Sequence, residues 1–195
     1  MTEYDFYPLS KLKKLQGTRR LAREKALQIA LAHVISRTDS EILFKHIFYR
    51  EFNFGDEAEA EIEKDKFLRP EEIYELEADV PVVWKADTLL FGEQLVYYMI
   101  EENEYIDDLI EKYAKNWELE RIAIIDRLLL TMASVEFLYF DEIPPKVSIN
   151  EVLDIAKKYS TDKSKTFING VLDSLLEQLK FDHKLNKKGR GLIND

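Results

Sequence analysis

The 195-residue sequence contains no cysteine, three histidines, six glycines and five prolines. The lack of cysteine excludes disulfides, thiolate zinc sites and cysteine nucleophiles. The histidines, His33, His46 and His183, are too scattered to have metal-ligand spacing. No apolar run approaches the roughly 20 residues of a membrane span, and the amino terminus does not read as a signal peptide. We therefore expect a soluble, cytoplasmic protein with no metal and no other cofactor.

The acidic and basic residues are segregated along the chain. The net charge is −10, which by itself opposes nucleic-acid binding because phosphate is negative. Residues 1–37, however, carry 8 basic and 3 acidic side chains, whereas residues 38–120 carry 8 basic and 24 acidic ones. Residues 121–195 are nearly balanced, with 12 basic and 11 acidic side chains. The sequence thus predicts a basic amino-terminal arm beside an acidic middle segment.

Apolar residues recur at helical spacing through most of the chain, and no alternating pattern recurs often enough to build a sheet. Thr18 is expected to cap a central first helix, and Ser148 with Glu151 forms a capping box that predicts another helix start. Ser164 is expected to begin the last helix, in which Gly170 suggests a close approach between helices. The sequence therefore predicts an all-α fold.

The composition divides the chain into a helical domain and three unusual segments. Residues 18–180 form the domain, and an acidic insertion occupies about residues 53–85. Residues 1–17 form a basic and aromatic extension, and residues 181–195 form a basic tail that we expect to be disordered.

Five segments resemble the NusB family of transcription antitermination factors (N-utilization substance B). They are RRLAREKALQ at 19–28, DRLLL at 126–130, IPPKVSINE at 143–151, IAKKYS at 155–160 and FINGVLD at 167–173. Altogether the resemblance covers about residues 18–36 and 87–180, and it implies a compact fold of two small helical bundles that share one core.

The resemblance also implies a non-enzymatic function. Family members bind boxA-type single-stranded RNA of ribosomal RNA operons together with the small-subunit ribosomal protein NusE, and they act on the transcription elongation complex. By this resemblance we expect an RNA-binding transcription antitermination factor.

The candidate RNA-binding residues form two groups. Arg19, Arg20 and Arg23 open the first helix, where guanidinium groups and unpaired backbone N–H groups together suit phosphate. Each could equally be a solvated or internally paired arginine, and helical projection places Arg23 beside buried positions. The second group is Lys163, Lys165 and Phe167, which combines ammonium groups with an aromatic ring of the kind that stacks on bases, and Lys146 is a weaker addition.

Each residue of the second group also has a structural interpretation. Spacing alone favours a core position for Phe167, because it shares an apolar stripe with Val171, whereas the resemblance places this aromatic on the RNA face. Lys163 stands where the family usually has an acidic residue, a change that favours phosphate.

The resemblance also implies a protein-binding surface. Asp126 matches an acidic family position that faces NusE, and Leu31 takes the place of a residue that contacts the partner. Asp126, Arg127 and Glu136 could otherwise be charges within the bundle. They lack the histidine or metal cluster of an enzyme site.

Two other functions compete with antitermination. One is a protein-only helical scaffold whose acidic insertion binds a basic partner. The other is an RNA-binding module related to ribosomal RNA cytosine methyltransferases, which carry a NusB-like domain. The absence of cysteine and of a glycine-rich cofactor turn argues against the methyltransferase itself.

Overall fold

The computed structural model describes residues 15–49, 82–113 and 121–189. Most of the amino-terminal extension and of the acidic insertion, and residues 190–195 of the tail, lie outside these ranges. The described elements are β1 (Leu15–Gln16), α1 (Arg19–Ser36), α2 (Ser40–Phe44) with a π-helical turn (Lys45–Tyr49), β2 (Val82–Val83), α3 (Ala86–Glu101), α4 (Asn103–Tyr113), α5 (Ile124–Tyr139), α6 (Pro145–Tyr159) and α7 (Asp162–Phe181).

The prediction of an all-α fold is confirmed. Within the described ranges, the strands are limited to β1 and β2, which pair in parallel over two residues each. Helices α1, α3, α4, α6 and α7 all pack against α5, and α2 packs against α1, so that one apolar core serves all of them. Every residue of α5 from position 128 to 137 is buried, because neighbouring helices surround it. No helix in these ranges is long and apolar enough to cross a bilayer.

The first helix begins where the sequence predicts. The Thr18 hydroxyl oxygen accepts a hydrogen bond from the Leu21 N–H at 3.1 Å, which satisfies one of the unpaired donors of the first turn. The helix ends at Arg37, whose left-handed backbone (φ 58°) lets its N–H reach the His33 carbonyl. Small residues at positions 22, 26 and 30 allow α3 and α5 to approach closely.

Two predicted helix starts are wrong. Helix α6 begins at Pro145, three residues before the expected Ser148, because proline suits a first turn in which no N–H bond is needed. Ser148 is fully buried, and its hydroxyl donates to Glu136 instead of capping the helix. Helix α7 begins at Asp162, since the hydroxyl of Thr161 accepts from the N–H of Ser164 at 3.2 Å.

The close approach between helices occurs at Gly92 and not at Gly170. A Cβ atom on Gly92 would lie 2.6 Å from the ring of Phe48 and 3.6 Å from the Cβ of Ala22. Gly170 is exposed, and a Cβ atom there would meet nothing within 4 Å. The prediction for Gly170 is therefore wrong, because periodicity alone did not indicate which side of α7 it occupies.

The described part of the carboxyl-terminal tail is docked, contrary to the expectation of disorder. The ammonium group of Lys187 is buried and donates to the carbonyl oxygens of Glu136 and Phe140, both at 2.9 Å. The Lys188 N–H donates to the Asp141 carbonyl at 2.9 Å. The two Lys187 bonds add a donor to carbonyls at the end of α5 that also accept the N–H groups of Phe140 and Ile143, and a cation is favourable at that end of a helix.

A buried ion pair connects α1 to α5. The guanidinium of Arg23 donates to both oxygens of Glu136, at 2.6 and 3.0 Å, and Ser148 donates to the same carboxylate at 2.6 Å. Arg23 is 3% exposed and Glu136 is 0% exposed. Arg23 also lies over the ring of Phe91, 5.0 Å from its centroid. This set of contacts fixes the positions of α1, α5 and α6 relative to one another.

Substitution of the two glycines should have opposite effects on stability. Gly170→Ala should raise the free energy of unfolding by about 0.5–1 kcal/mol, because alanine is more favourable than glycine at an exposed position within a helix. Gly92→Ala should lower it by about 1–3 kcal/mol through overpacking against Phe48. Urea denaturation of both variants checks this, and a stabilised Gly92→Ala protein would contradict the packing described.

Removal of the buried carboxylate should destabilise the fold. Glu136→Gln should lower the free energy of unfolding by about 3–5 kcal/mol, because it leaves the Arg23 cation buried without a counter-charge. Chemical denaturation measures the change. The double variant Arg23→Met/Glu136→Leu is the control and should recover most of the loss. Equal loss in the double variant would show that packing volume, and not the unpaired charge, is responsible.

Candidate nucleic-acid interface

Arg19 is the exposed cation at the amino-terminal end of α1. Its guanidinium carbon lies 5.2 Å from the centroid of the Phe91 ring, within the range of a cation–π contact. The first turn of α1 contains no acidic residue. Its backbone N–H groups and the Arg19 guanidinium therefore present positive charge toward the same end of the helix.

Arg20 is held by two carboxylates of α6. Its Nε and Nη2 atoms donate to the two oxygens of Glu151 at 3.0 and 2.9 Å, and Nη2 also donates to Asp154 at 3.0 Å. The hydrogen bond to Glu151 is the main cause that raises the pKa of Arg20. Since Arg20 remains half-exposed, it lies at the predicted surface, but its charge is already balanced there.

The contacts between α1 and α6 bring the start of α7 to the same side of the molecule. Lys158 donates to Glu24 at 2.8 Å, and this lysine lies three residues before Thr161, the amino-terminal cap of α7. The hydrogen bond to Glu24 raises the pKa of Lys158. Helix α7 begins at Asp162, four residues after Lys158, so its first turn lies close to the part of α1 that contains Glu24.

Lys163, Lys165 and Phe167 lie in the first two turns of α7. Lys163 is exposed, Lys165 is half-buried, and Phe167 is half-buried and packs against the core. Phe167 thus contacts the core, as its spacing predicts, and it is only partly buried; its position on an RNA face stays a prediction. Lys146, in the first turn of α6, is also exposed.

Arg23 does not belong to the exposed surface. The sequence predicted it as an RNA-binding residue, but its guanidinium is enclosed and donates to Glu136. A phosphate could reach it only by displacing a buried carboxylate, which is strongly unfavourable. We therefore assign Arg23 a structural role, as the residue that anchors the helix carrying Arg19 and Arg20.

The predicted protein-binding residues are also more enclosed than the sequence indicated. Asp126 is 4% exposed, and its carboxylate accepts a hydrogen bond from Ser160, at the junction of α6 and α7. Leu31 is half-buried against the core. Leu31 thus retains some surface for a partner, whereas Asp126 mainly joins α5 to the junction. Arg127 pairs with Asp107 of α4, so it is a charge within the bundle.

Sequence reasoning missed the acidic residues that balance this surface. Glu151 bonds to Arg20 and also lies 3.6 Å from Nη1 of Arg23, and Asp154 accepts from Lys157 at 2.6 Å. The lysine is the main cause that lowers the pKa of Asp154. The sequence could have indicated these residues, because the charged residues of α6 are spaced three and four apart and so lie on one face of the helix.

The part of the chain that the structure describes has no group of three His, Asp or Glu side chains arranged to hold a metal ion. The chemistry present on this surface consists of guanidinium and ammonium groups, an aromatic ring and helix amino termini. These groups bind anions and stack on planar rings.

Several solved structures have the same fold. NusB of Thermotoga maritima is 25% identical in sequence, with a TM-score of 0.61 over 86% of this chain and 99% of that one. A structure of the antitermination factors NusB and NusE in complex with double-stranded RNA matches with a TM-score of 0.58, at 21% identity, over 82% of this chain and 96% of that one.

Sequence comparison gives higher identities. The transcription antitermination protein NusB of Salinibacter ruber is 51% identical over 114 residues, which are 58% of this chain and 71% of that protein. The NusB protein of Chloroherpeton thalassium is 47% identical over 116 residues, 60% of this chain and 54% of that protein. The sequence profile of the NusB family matches residues 20–177. Because this match includes most of the chain, the protein belongs to the NusB family.

Proposed function

We propose that this protein is an RNA-binding transcription antitermination factor that pairs with NusE on boxA-type RNA of ribosomal RNA operons. Two kinds of observation support the proposal. The named relatives are transcription antitermination proteins, and a structural neighbour is a complex of NusB and NusE with RNA. In this chain, Arg19 and Lys163 are exposed, and the pairing of Lys158 with Glu24 brings the start of α7 close to α1. This pairing is the observation that carries the proposal.

The proposed RNA surface combines cations that attract phosphate with an aromatic ring that can stack on a base. Arg19 and Lys163 are the exposed cations that attract phosphate, and Lys165 and Lys146 extend them. The part of the Phe167 ring that reaches the surface provides a platform for a base. No catalytic step is assigned to these residues, because binding alone accounts for their chemistry.

The paired state of Arg20 explains why a protein partner is needed. Arg20, Lys157 and Lys158 are each matched by a carboxylate, so the surface between α1 and α6 has little net charge. RNA affinity by this chain alone should therefore be modest at physiological salt. We propose that NusE binds at the surface that includes Leu31 and supplies further RNA contacts.

Loss of the exposed cations should weaken RNA binding and reduce its salt dependence. For the double variant Arg19→Ala/Lys163→Ala, the slope of log K against log salt should become shallower by about 1.4, since each lost contact to single-stranded RNA accounts for about 0.7. Titration of a labelled boxA-type RNA, with and without NusE, measures this. Lys180→Ala, at the far end of α7 about 25 Å from Lys163, is the matched control and should leave the slope unchanged.

The outcome of that titration separates the proposed functions. Absence of RNA binding at low salt, both with and without NusE, would refute the antitermination proposal and favour a protein-only scaffold. A slope that changes equally in Lys180→Ala would show non-specific attraction in place of a defined surface.

Neutralisation of one balancing carboxylate should strengthen RNA binding. Asp154→Asn removes a negative charge beside Arg20 and releases one of its donors. At a distance of about 6 Å in water, one charge changes the interaction with a phosphate by about 0.7 kcal/mol, so affinity at low salt should rise about threefold. The same RNA titration measures it, and Asp173→Asn, an exposed acidic position further along α7, is the control. Unchanged affinity in Asp154→Asn would mean that Arg20 lies outside the RNA contact.

A further inference from the structure

Four tyrosines form a cluster where α3 meets α4 and α5 ends. The Tyr97 and Tyr98 rings meet edge to face, with centroids 5.3 Å apart, and Tyr98 stacks on Tyr139 at 4.3 Å. Burial, a hydrogen bond with Glu102 and the nearby Tyr105 raise the pKa of Tyr139 to about 12. Tyr139 is therefore neutral at physiological pH.

Part of the tyrosine cluster is exposed to solvent. Tyr97 is 58% exposed, Tyr105 is 40% exposed and Leu90 is 53% exposed. Leu90 lies seven residues before Tyr97, which is two helical turns, so both side chains are on the same face of α3. Tyrosine combines a large apolar ring with a polar tip, and it is enriched at protein interfaces. Tyr97 packs against Tyr98, and both Tyr97 and Tyr105 leave a large part of their surface open to solvent.

The residues around the cluster are strongly acidic. Residues 82–113 contain eight acidic side chains and two basic ones, Lys85 and Lys112. Exposed carboxylates flank the tyrosines on both helices, at positions 93, 101, 104 and 108. Their combined field repels phosphate and attracts cations, so this surface is more acidic than the proposed RNA surface.

The chain itself places a cation on this cluster. The ammonium group of Lys184 lies 5.9 Å from the centroid of the Tyr105 ring, a cation–π contact. This contact shows that the geometry accepts an ammonium group above an exposed ring. Tyr139 and Asp126, moreover, lie 13 residues apart on α5, which corresponds to about 20 Å. Tyr139 is thus well separated along α5 from Asp126, one of the two residues that the resemblance assigns to NusE.

We propose that Leu90, Tyr97, Tyr105 and the flanking carboxylates form a docking surface for an arginine- and lysine-rich segment of a partner protein. The partner's cations would lie over the tyrosine rings, as Lys184 does, while the carboxylates balance their charge. The difference in charge between the two surfaces lets one protein hold both RNA and a basic protein segment. This inference does not depend on the proposed RNA-binding function.

Peptide binding tests the proposal directly. The probe is a fluorescent peptide of six arginines separated by alanines, titrated with the full-length protein and followed by anisotropy. The double variant Tyr97→Ser/Tyr105→Ser should bind it about tenfold more weakly, the loss expected for two exposed cation–π contacts. Tyr97→Phe/Tyr105→Phe keeps both rings and should bind within about twofold of the unchanged protein, which excludes misfolding as the cause.

The matched control is Tyr49→Ser. Tyr49 is 44% exposed, similar to Tyr105, but it lies in the π-helical turn after α2. This variant keeps every acidic residue of the chain, so its affinity should equal that of the unchanged protein. Equal weakening in Tyr49→Ser, or no weakening in the double variant, would overturn the proposal, because the peptide would then be attracted by overall charge alone.

The same variants distinguish other occupants of the surface. If Tyr97→Ser/Tyr105→Ser loses affinity for boxA-type RNA and keeps its affinity for the peptide, the surface binds RNA. If sedimentation shows that the double substitution converts a dimer to a monomer while peptide affinity is unchanged, the surface binds a second copy of this chain. Either result would overturn the proposal of a basic partner.

Discussion

The position of α1, and with it the proposed RNA surface, depends on the buried carboxylate of Glu136. This group accepts from Arg23 and Ser148, and its backbone carbonyl accepts from Lys187. Four segments of the chain thus meet at one residue of α5. A buried charge is strongly unfavourable unless its partners are in place. Arrangements of the helices that separate Arg23 from Glu136 are therefore disfavoured, and the geometry of the pair is well defined. Arg23 therefore affects the proposed RNA surface indirectly, because it holds the helix that carries Arg19 and Arg20.

Glu151 transmits this geometry to the surface. Its carboxylate lies 3.6 Å from Arg23 and bonds to Arg20, so one acidic side chain contacts both the buried arginine and the half-exposed one. Each guanidinium forms a rigid fork, and two forks on neighbouring turns of α1 fix the rotation of that helix against α6. Arg19, one residue earlier, is thereby held at the exposed end, where it lies over Phe91.

The periodicity of apolar residues predicted the helices, because in α1, α5 and α7 the apolar residues at helical spacing are also the buried ones. It could not predict where α6 begins. The pattern from Ser148 to Glu151 is that of a capping box, yet Ser148 bonds to a side chain distant in sequence and Pro145 supplies the start. The prediction for Gly170 was wrong for a related reason, since a helical repeat does not reveal which face a neighbour covers. The docked tail depends on Lys187 reaching carbonyls of α5, a contact of long sequence separation.

The net charge of −10 is consistent with RNA binding once its location is known. On the proposed RNA surface, Arg20, Lys157 and Lys158 are each paired with a carboxylate of α1 or α6, and Arg19, Lys146 and Lys163 are exposed cations outside these pairs. On α3 and α4, acidic residues exceed basic ones by a wide margin and surround exposed tyrosines. Exposed charges are screened within about 10 Å at moderate salt, so each surface acts mainly on the groups that contact it. An acidic protein can therefore present a nearly neutral surface to RNA and a strongly acidic one to a basic protein.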